Sequence, residues 1–333
     1  MARRLKELAE LVVKQSVEDT KFQDDMSTKN RTKVLDKFID TQTIMDKFRQ
    51  LEQQETLRSL RQSYGRLRAS EVAAGCIRQV LFSYYGLQEI DEDKVASFAL
   101  VRLHSLVGKA IHQFLQETLD LAYKELPLYV TIDEDKSLIV KGFIDGIYFV
   151  RDKTVILELK TTYEDKLRKN FRGLDVHWLQ AYFYAYSLYH RYSLLLDTQF
   201  YPAKYRAIIE QFLKEAKTID YVQLVYVDKK LSIGADFIRP VNVTNSVFSS
   251  YFPKKLQLLK ESIKQLQVPA LDTRNFIDFS TCRFCPYESF CKKQVGAFRV
   301  TDFKNFAYKE PANRDIYLNG GSSNDSNEDF LEK

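Results

Sequence analysis

Two sets of residues in this chain have the types and spacing to do chemistry. The first is Asp145, in Gly142-Phe-Ile-Asp145, followed by Glu158 and Lys160 in Leu157-Glu158-Leu-Lys160-Thr-Thr. Strand side chains alternate between faces, so Glu158 and Lys160 share one face while Leu157 and Leu159 point the other way, into a core. The turn Arg151-Asp-Lys153 is short enough to fold the two segments into a hairpin that brings Asp145 opposite Glu158. Two carboxylates on one sheet face repel unless a cation or hydrogen bonds offset the charge. Mg²⁺ or Mn²⁺ suits such oxygen ligands. A divalent ion, two carboxylates and an ammonium are what phosphodiester hydrolysis needs: an activated water and compensation of the charge growing on the phosphate. Lys160 would orient the water or stabilise the pentavalent phosphate. Glu-x-Lys alone is common; it carries meaning here because of the aspartate upstream and the cysteines downstream.

The second set is the cysteines. Cys282, Cys285 and Cys291 fall within ten residues, and Cys76 stands far upstream in Ala-Gly-Cys76-Ile-Arg78. Four thiolates suit either Zn²⁺ or an iron–sulfur cluster. Structural zinc ribbons commonly use two local pairs, whereas a triplet with one distant partner leans toward a 4Fe–4S cluster. Such a centre would act as a clasp, closing a loop of about 200 residues and restraining the unfolded chain.

Other residues lie near these sets. His112, in Gly108-Lys-Ala-Ile-His112, falls on an expected helix; alone, a helix histidine is more often structural, though imidazole suits Mn²⁺. Gln180 and Tyr184 are four apart and share a helix face, where they can order the site or contact a phosphate. Lys166, Arg168, Lys169 and Arg172 place four cations in seven residues, which fits DNA phosphates or a solvated loop. Tyr163 and Trp178 can stack on bases, but core packing is the safer reading.

The elements that must position these groups follow from the apolar pattern. Residues 70–86 read as a helix holding Cys76, and Phe98 to Tyr123 as a second helix. Strands are expected at Leu128–Ile132, Leu138–Val150, Thr154–Leu159, Tyr221–Val227 and Phe237–Val243, with helices at Asp175–Arg191 and Asn245–Gln267. The order indicates an α/β (α+β) mixed-sheet core flanked by helices. Three regions are expected: a helical extension over 1–68, the core with its cysteine clasp over 69–300, and a tail over 301–333 that is acidic and polar. The extension carries Leu35, Phe38, Ile39, Met45, Phe48 and Leu51 at mostly helical intervals, and suits packing, partner binding or self-association.

Bulk properties narrow the class without naming it. Fifty Lys and Arg against 45 Asp and Glu give a net charge of +5, which does not by itself mark a nucleic-acid binder. No apolar run approaches the roughly 20 residues of a membrane span. The basic start lacks a signal-peptide core, so a cytoplasmic protein without a membrane partner is expected, and there four cysteines argue for metal or redox chemistry over disulfides.

Taken in order, Ser70-x₅-Cys76-x-Arg78, Tyr84-Tyr85-Gly86, Gly108-x₃-His112, Gly142-Phe-Ile-Asp145, Glu158-Leu-Lys160-Thr-Thr, Gln180-x₃-Tyr184 and the cysteine triplet resemble the RecB-like branch of the PD-(D/E)XK nuclease superfamily. More narrowly, they resemble its iron–sulfur members, the CRISPR-associated RecB-like exonucleases and the nuclease domains of related helicase–nucleases. The resemblance covers about residues 68–295. It implies a restriction-endonuclease-like fold, with His112, Asp145 and Glu158 as Mn²⁺ or Mg²⁺ ligands and Lys160 catalytic. Gln180 and Tyr184 would support the site, and the four cysteines would hold a 4Fe–4S cluster. It implies a DNA nuclease, and an exonuclease by family habit, acting on single strands or ends in recombination, replication or antiviral CRISPR spacer acquisition. A helicase or integrase is the implied partner; the alternative is a non-cleaving assembly subunit. Arg78 is expected to contact DNA along with the basic run. Two positions depart from the family pattern: Ile77 replaces a common proline and Gln79 stands where a basic residue is usual.

Overall fold

The structure is a computed structural model. It describes residues 65–91, 108–132, 138–162, 174–190, 201–228 and 233–307, apart from residues 109, 202, 217, 273, 275, 277–281 and 283–284. The expected helical extension, the basic run Lys166, Arg168, Lys169 and Arg172, Tyr163 and most of the expected tail lie outside the described residues.

Alternating apolar and polar residues build a mixed sheet: β1 (Leu67–Arg68), β2 (Tyr123–Thr131), β3 (Ile139–Val150), β4 (Lys153–Thr162), β5 (Tyr221–Asp228) and β6 (Ile233–Pro240). β2, β3 and β4 form an antiparallel meander; β5 runs parallel to β4, and β6 antiparallel to β5. One edge of β3 pairs with β2 from Ile139 to Ile147. The opposite edge pairs with β1 at Val140 and Lys141, and with β4 from Gly146 to Val150. That edge therefore forks: between Lys141 and Gly146 it has no strand partner, and Asp145 stands at the mouth of the fork.

The helices are α1 (Ala69–Ala74), α2 (Ile77–Tyr85), α3 (residues 110–118), α4 (Asp175–His190), α5 (Ala203–Glu215), α6 (Phe252–Lys264) and α7 (Glu288–Lys293). Helix α1 packs on α4 and β3. The main core joins the helices other than α3 to one side of the sheet, through Ile144, Ile147, Ile156, Phe183, Leu224 and Phe252. A smaller cluster of Leu157, Leu159, Val225 and Val227 meets Ile111 of α3 on the other side. This is the mixed α/β architecture expected, with a central sheet between helices.

Several boundaries differ from expectation. The single helix expected over 70–86 breaks at Gly75 and Cys76, both extended, giving α1 and α2. Tyr123 opens β2 and so lies beyond the helix that carries His112. The expected Asn245–Gln267 helix begins as a π turn, Val247–Tyr251, before α6. Helix α5 is not among the elements expected.

A cluster of rings fastens the first helices to the last described segment. Phe82 meets Tyr287, Phe290, Phe298 and Phe306 at centroid distances of 5.6–6.4 Å. Backbone bonds run alongside, from Gln88 N–H to the Asn305 carbonyl at 2.8 Å and from Ala307 N–H to the Gly86 carbonyl at 3.0 Å. The Tyr85 hydroxyl donates to the Ser262 carbonyl at 2.9 Å.

Candidate active site

The fork in β3 creates the setting for Asp145. On the β2 side the register passes from Lys124–Gly146 to Leu126–Ile144 and skips Glu125 and Asp145. Glu125 takes a left-handed backbone, with φ 47°. A non-glycine residue there is strained by about 1 kcal/mol, and such strain gathers at functional sites. The Asp145 carbonyl accepts a hydrogen bond from Gln116 Nε2 of α3 at 2.7 Å. Across the fork, Asp145 Oδ2 accepts from the Leu159 backbone N–H at 2.8 Å. The carboxylate thus replaces the strand that β4 lacks on that edge.

Glu158 and Lys160 share a face of β4, as their spacing predicts. Glu158 is fully buried. Its Oε1 accepts from the Lys160 ammonium, and its Oε2 has no hydrogen-bond partner. Burial pushes the Glu158 carboxyl well above its ordinary range, and the Asp145 charge adds to this. Burial also raises Asp145, opposed by the Lys160 ammonium. Lys160 remains charged: the two carboxylates outweigh its own desolvation.

Helix α4 crosses the sheet above these groups. His177, Gln180 and Tyr184 fall at helical spacing on one face. Gln180 Oε1 accepts from Lys160 Nζ at 3.2 Å, and Gln180 Nε2 donates to the Tyr184 hydroxyl at 2.9 Å. Tyr184 lies against Gly142 of β3, where an added Cβ would fall 3.6 Å from its ring and 2.6 Å from the Ala69 Cβ. At the other end, His177 Nδ1 and the Tyr226 hydroxyl of β5 are 2.7 Å apart, and that hydroxyl accepts the Leu174 N–H at 2.9 Å. Tyr226 is the register partner of Lys160. His177 and Tyr226 were not singled out by sequence; the three-residue step from His177 to Gln180 is the signal that could have found His177.

His112 enters from the other side of the sheet on α3. An added Cβ at Gly108 would sit 2.6 Å from Thr161 Oγ1, so the glycine lets this helix lie close against β4. One turn later His112 Nδ1 stands 3.7 Å from Asp145 Oδ1. Burial lowers its pKa, with the Lys160 ammonium contributing. A neutral imidazole keeps a lone pair for a metal. Glu125, near enough to raise the pKa of both His112 and Asp145, is a third acid that sequence reasoning missed.

His112, Asp145, Glu158, Lys160, Gln180 and Tyr184 are therefore brought to one locality. Among the described residues, no three His, Cys, Asp or Glu side chains converge as placed on a common ion position. Glu158 is turned to Lys160 instead. Its orphaned Oε2 and the pair of desolvated acids nevertheless fit a divalent cation, since a buried carboxylate oxygen without a donor is costly and an added positive charge relieves it.

The cysteines form a separate locality. All four are free thiols, and Cys76 is buried. Cys285 is pushed up to about 12, chiefly by burial, with Cys76, Cys291 and Cys282 adding to the rise. Cys76 thus lies within electrostatic reach of the triplet, despite its distance in sequence. The segment is stitched in place by Lys255, whose ammonium donates to the carbonyls of Ala73 at 3.0 Å and Gly75 at 2.8 Å. Burial lowers Lys255 to about 7.

Arg78 corrects an expectation. It has no exposed surface, and its guanidinium donates to the carbonyls of Pro269 and Gln294. A side chain so enclosed does not reach a DNA backbone. Trp178 is 3% exposed and packs in the core beneath Arg239, as the safer reading held.

No helix among the described residues is long and apolar enough to cross a membrane. No curated protein matches the chain. The crystal structure of SSO0001 shares 15% identity over 74% of this chain and 96% of its own, with a TM-score of 0.42; a likeness at that level carries no argument. The PD-(D/E)XK nuclease superfamily matches residues 7–292, and the chain belongs to that superfamily.

Proposed function

We propose that this protein is a metal-dependent DNA nuclease acting on single strands or DNA ends. Membership of the superfamily suggests nuclease activity and a divalent metal such as Mg²⁺ or Mn²⁺. The observation that carries the reading to these residues is the buried Glu158, bonded to Lys160 through one oxygen and orphaned at the other, beside Asp145 in the fork. Asp145, Glu158 and His112 would hold the cation. When bound, it supplies Lewis-acid polarisation of the phosphate and acidification of a water. Lys160 presents an ammonium to the charge that develops on the phosphate. Gln180 fixes that ammonium and Tyr184 fixes Gln180. The run Lys166, Arg168, Lys169 and Arg172, just ahead of α4 in sequence, is the proposed contact to DNA phosphates.

Cys76, Cys282, Cys285 and Cys291 are proposed to hold a 4Fe–4S cluster, in keeping with the resemblance to RecB-like iron–sulfur nucleases. What supports this is the donor set of four thiols, with Cys76 in the main core and Cys285 and Cys291 packed against that same core. The settings that suit such a protein are end processing in recombination, replication or CRISPR spacer acquisition, with a helicase or integrase as partner.

The test is cleavage of a labelled oligonucleotide with Mn²⁺ or Mg²⁺. Wild type is expected to cut, and Lys160→Ala to lose at least about a hundredfold in rate. A second reading, a non-cleaving nucleic-acid-binding subunit, is favoured by one observation: no three candidate ligands converge as placed. Wild-type binding without cutting under either metal would select it.

A further inference from the structure

The most conspicuous uncompensated charges among the described residues lie away from the carboxylates, on either side of Cys76. Arg78 is 0% exposed and Lys255 is 1% exposed. Among the described residues, neither is paired with a carboxylate. Lys255 donates to the carbonyls of Ala73 and Gly75 and to the Tyr251 hydroxyl at 3.4 Å. Arg78 donates to two carbonyls and lies 5.5 Å and 5.4 Å from the ring centres of Phe82 and Phe298, and its buried Nε has no partner. The ionisable groups that act on Arg78 are Cys291 and Cys76; on Lys255, Cys76.

Carbonyls and rings satisfy donors but leave net charge in a poorly polarisable interior, where ions are ordinarily paired or bound to metals. The cysteines are the groups within reach that can be anionic. Four protonated thiols would leave the Arg78 guanidinium uncompensated and favour loss of the proton from Lys255. Four bare thiolates would repel one another. A metal-bound tetrathiolate answers both difficulties: zinc on four thiolates, and an oxidised four-iron cluster on four thiolates, each carry two net negative charges.

From this arrangement we infer that Arg78 and Lys255 are the buried counter-ions of a dianionic metal–thiolate centre on Cys76, Cys282, Cys285 and Cys291. The inference rests on the cysteine ligation proposed above. The contacts that deliver the charges also shape the loop: Lys255 grips the carbonyl of Gly75, immediately before Cys76, and Arg78 follows two residues after it. Two positive charges match the oxidised cluster and fall one short of the reduced one. Removing either cation therefore weakens metal retention and makes reduction harder.

The test uses the full chain, purified without oxygen, as wild type, Lys255→Met, Arg78→Met and the charge-conserving Lys255→Arg. Iron, sulfide and zinc per chain are measured before and during challenge with a chelator, with the midpoint potential where a cluster is present. Both methionine variants are expected to hold metal about 10–100-fold less tightly, as loss of second-sphere partners does elsewhere. Lys255→Arg is expected to retain it. With a cluster, the potential of Lys255→Met falls below that of Lys255→Arg. Metal in the wild type, held as tightly and at the same potential in Lys255→Met, overturns the counter-ion role alone. Wild type without iron or zinc overturns the ligation and the counter-ions together. Melting of the metal-stripped proteins covers a folding defect. There Lys255→Met is expected to be no less stable than wild type, because an apolar side chain replaces an uncompensated charge. An equal loss of stability with and without metal would make Lys255 a cap of α1 and nothing more.

Discussion

Asp145 combines two tasks that substitution can separate. Its Oδ2 is the acceptor for the Leu159 N–H, and its charge is part of the proposed metal site. Asp145→Asn keeps an oxygen for the amide and removes the charge; it is expected to fold normally and to lose at least about a hundredfold in cleavage. Asp145→Ala also leaves the amide without its acceptor, which costs a further ~1–3 kcal/mol. Parallel cleavage assays and denaturant melts distinguish the two. His177 gives a pH signature. Burial, with help from Lys160, lowers it from 6.5 to about 3, so the ring stays neutral in the folded protein while the unfolded chain takes up a proton near pH 6.5. Its contribution to stability is present above about pH 6.5 and lost as pH falls toward 3. His177→Gln is expected to flatten the loss of melting temperature between pH 6.5 and 4. Asp145 and Glu158, raised by burial, act in the opposite direction over the acid range, so the informative quantity is the difference between variant and wild type. Asp145, Glu158 and Lys160 were legible in the sequence because a strand has period two and a short turn fixes the pairing. The fates of Arg78, His177 and Tyr226 were not, because burial and cross-element hydrogen bonds leave little trace in one segment's pattern.

At the scale of elements, the site depends on helices and strands approaching closely. Gly142 passes under Ala69 and Tyr184, and a Cβ there would meet the Ala69 Cβ at 2.6 Å. Gly142→Ala is expected to cost ~1–3 kcal/mol, as overpacking does, and to displace the Gln180–Tyr184 pair. Chemical denaturation measures the first effect and cleavage rate the second. Glu125, opposite Asp145, has φ 47°, and glycine adopts that backbone freely. Glu125→Gly is expected to raise stability by up to ~1 kcal/mol, read from the denaturation midpoint. Strands β3, β4 and β5 came through from sequence to within three residues because their apolar pattern is strong, whereas β2 begins five residues and β6 four residues before the expected start, and the two-residue β1 was not among the elements expected. The break between α1 and α2 did not, although Gly75 marks it, because the apolar pattern runs across the break. Helix α5 was also legible in principle: Ile208, Ile209 and Phe212 have helical spacing after Pro202. The skip at Glu125 had no such signal, since it arises from the divergence of three strands.

At the scale of the whole molecule, residues far apart in sequence close one another's surfaces. Phe306 is 2% exposed and lies 5.9–6.4 Å from the rings of Phe82, Tyr85, Phe290, Phe298 and Phe303. Phe306→Ala is expected to cost ~3–5 kcal/mol, the usual loss for a buried phenylalanine, measured by thermal or denaturant unfolding. This ring cluster has a bearing on biosynthesis. Every strand of the central sheet has been made by Pro240, yet the cover for Phe82 and Arg78 is supplied by residues between Pro269 and Phe306. A nascent chain on the ribosome would hold its acidic residues ready while its first helices stayed greasy and open, which is the state chaperones recognise. Closure of the core around Phe82 and Arg78 would then wait for translation of the segment that ends at Phe306.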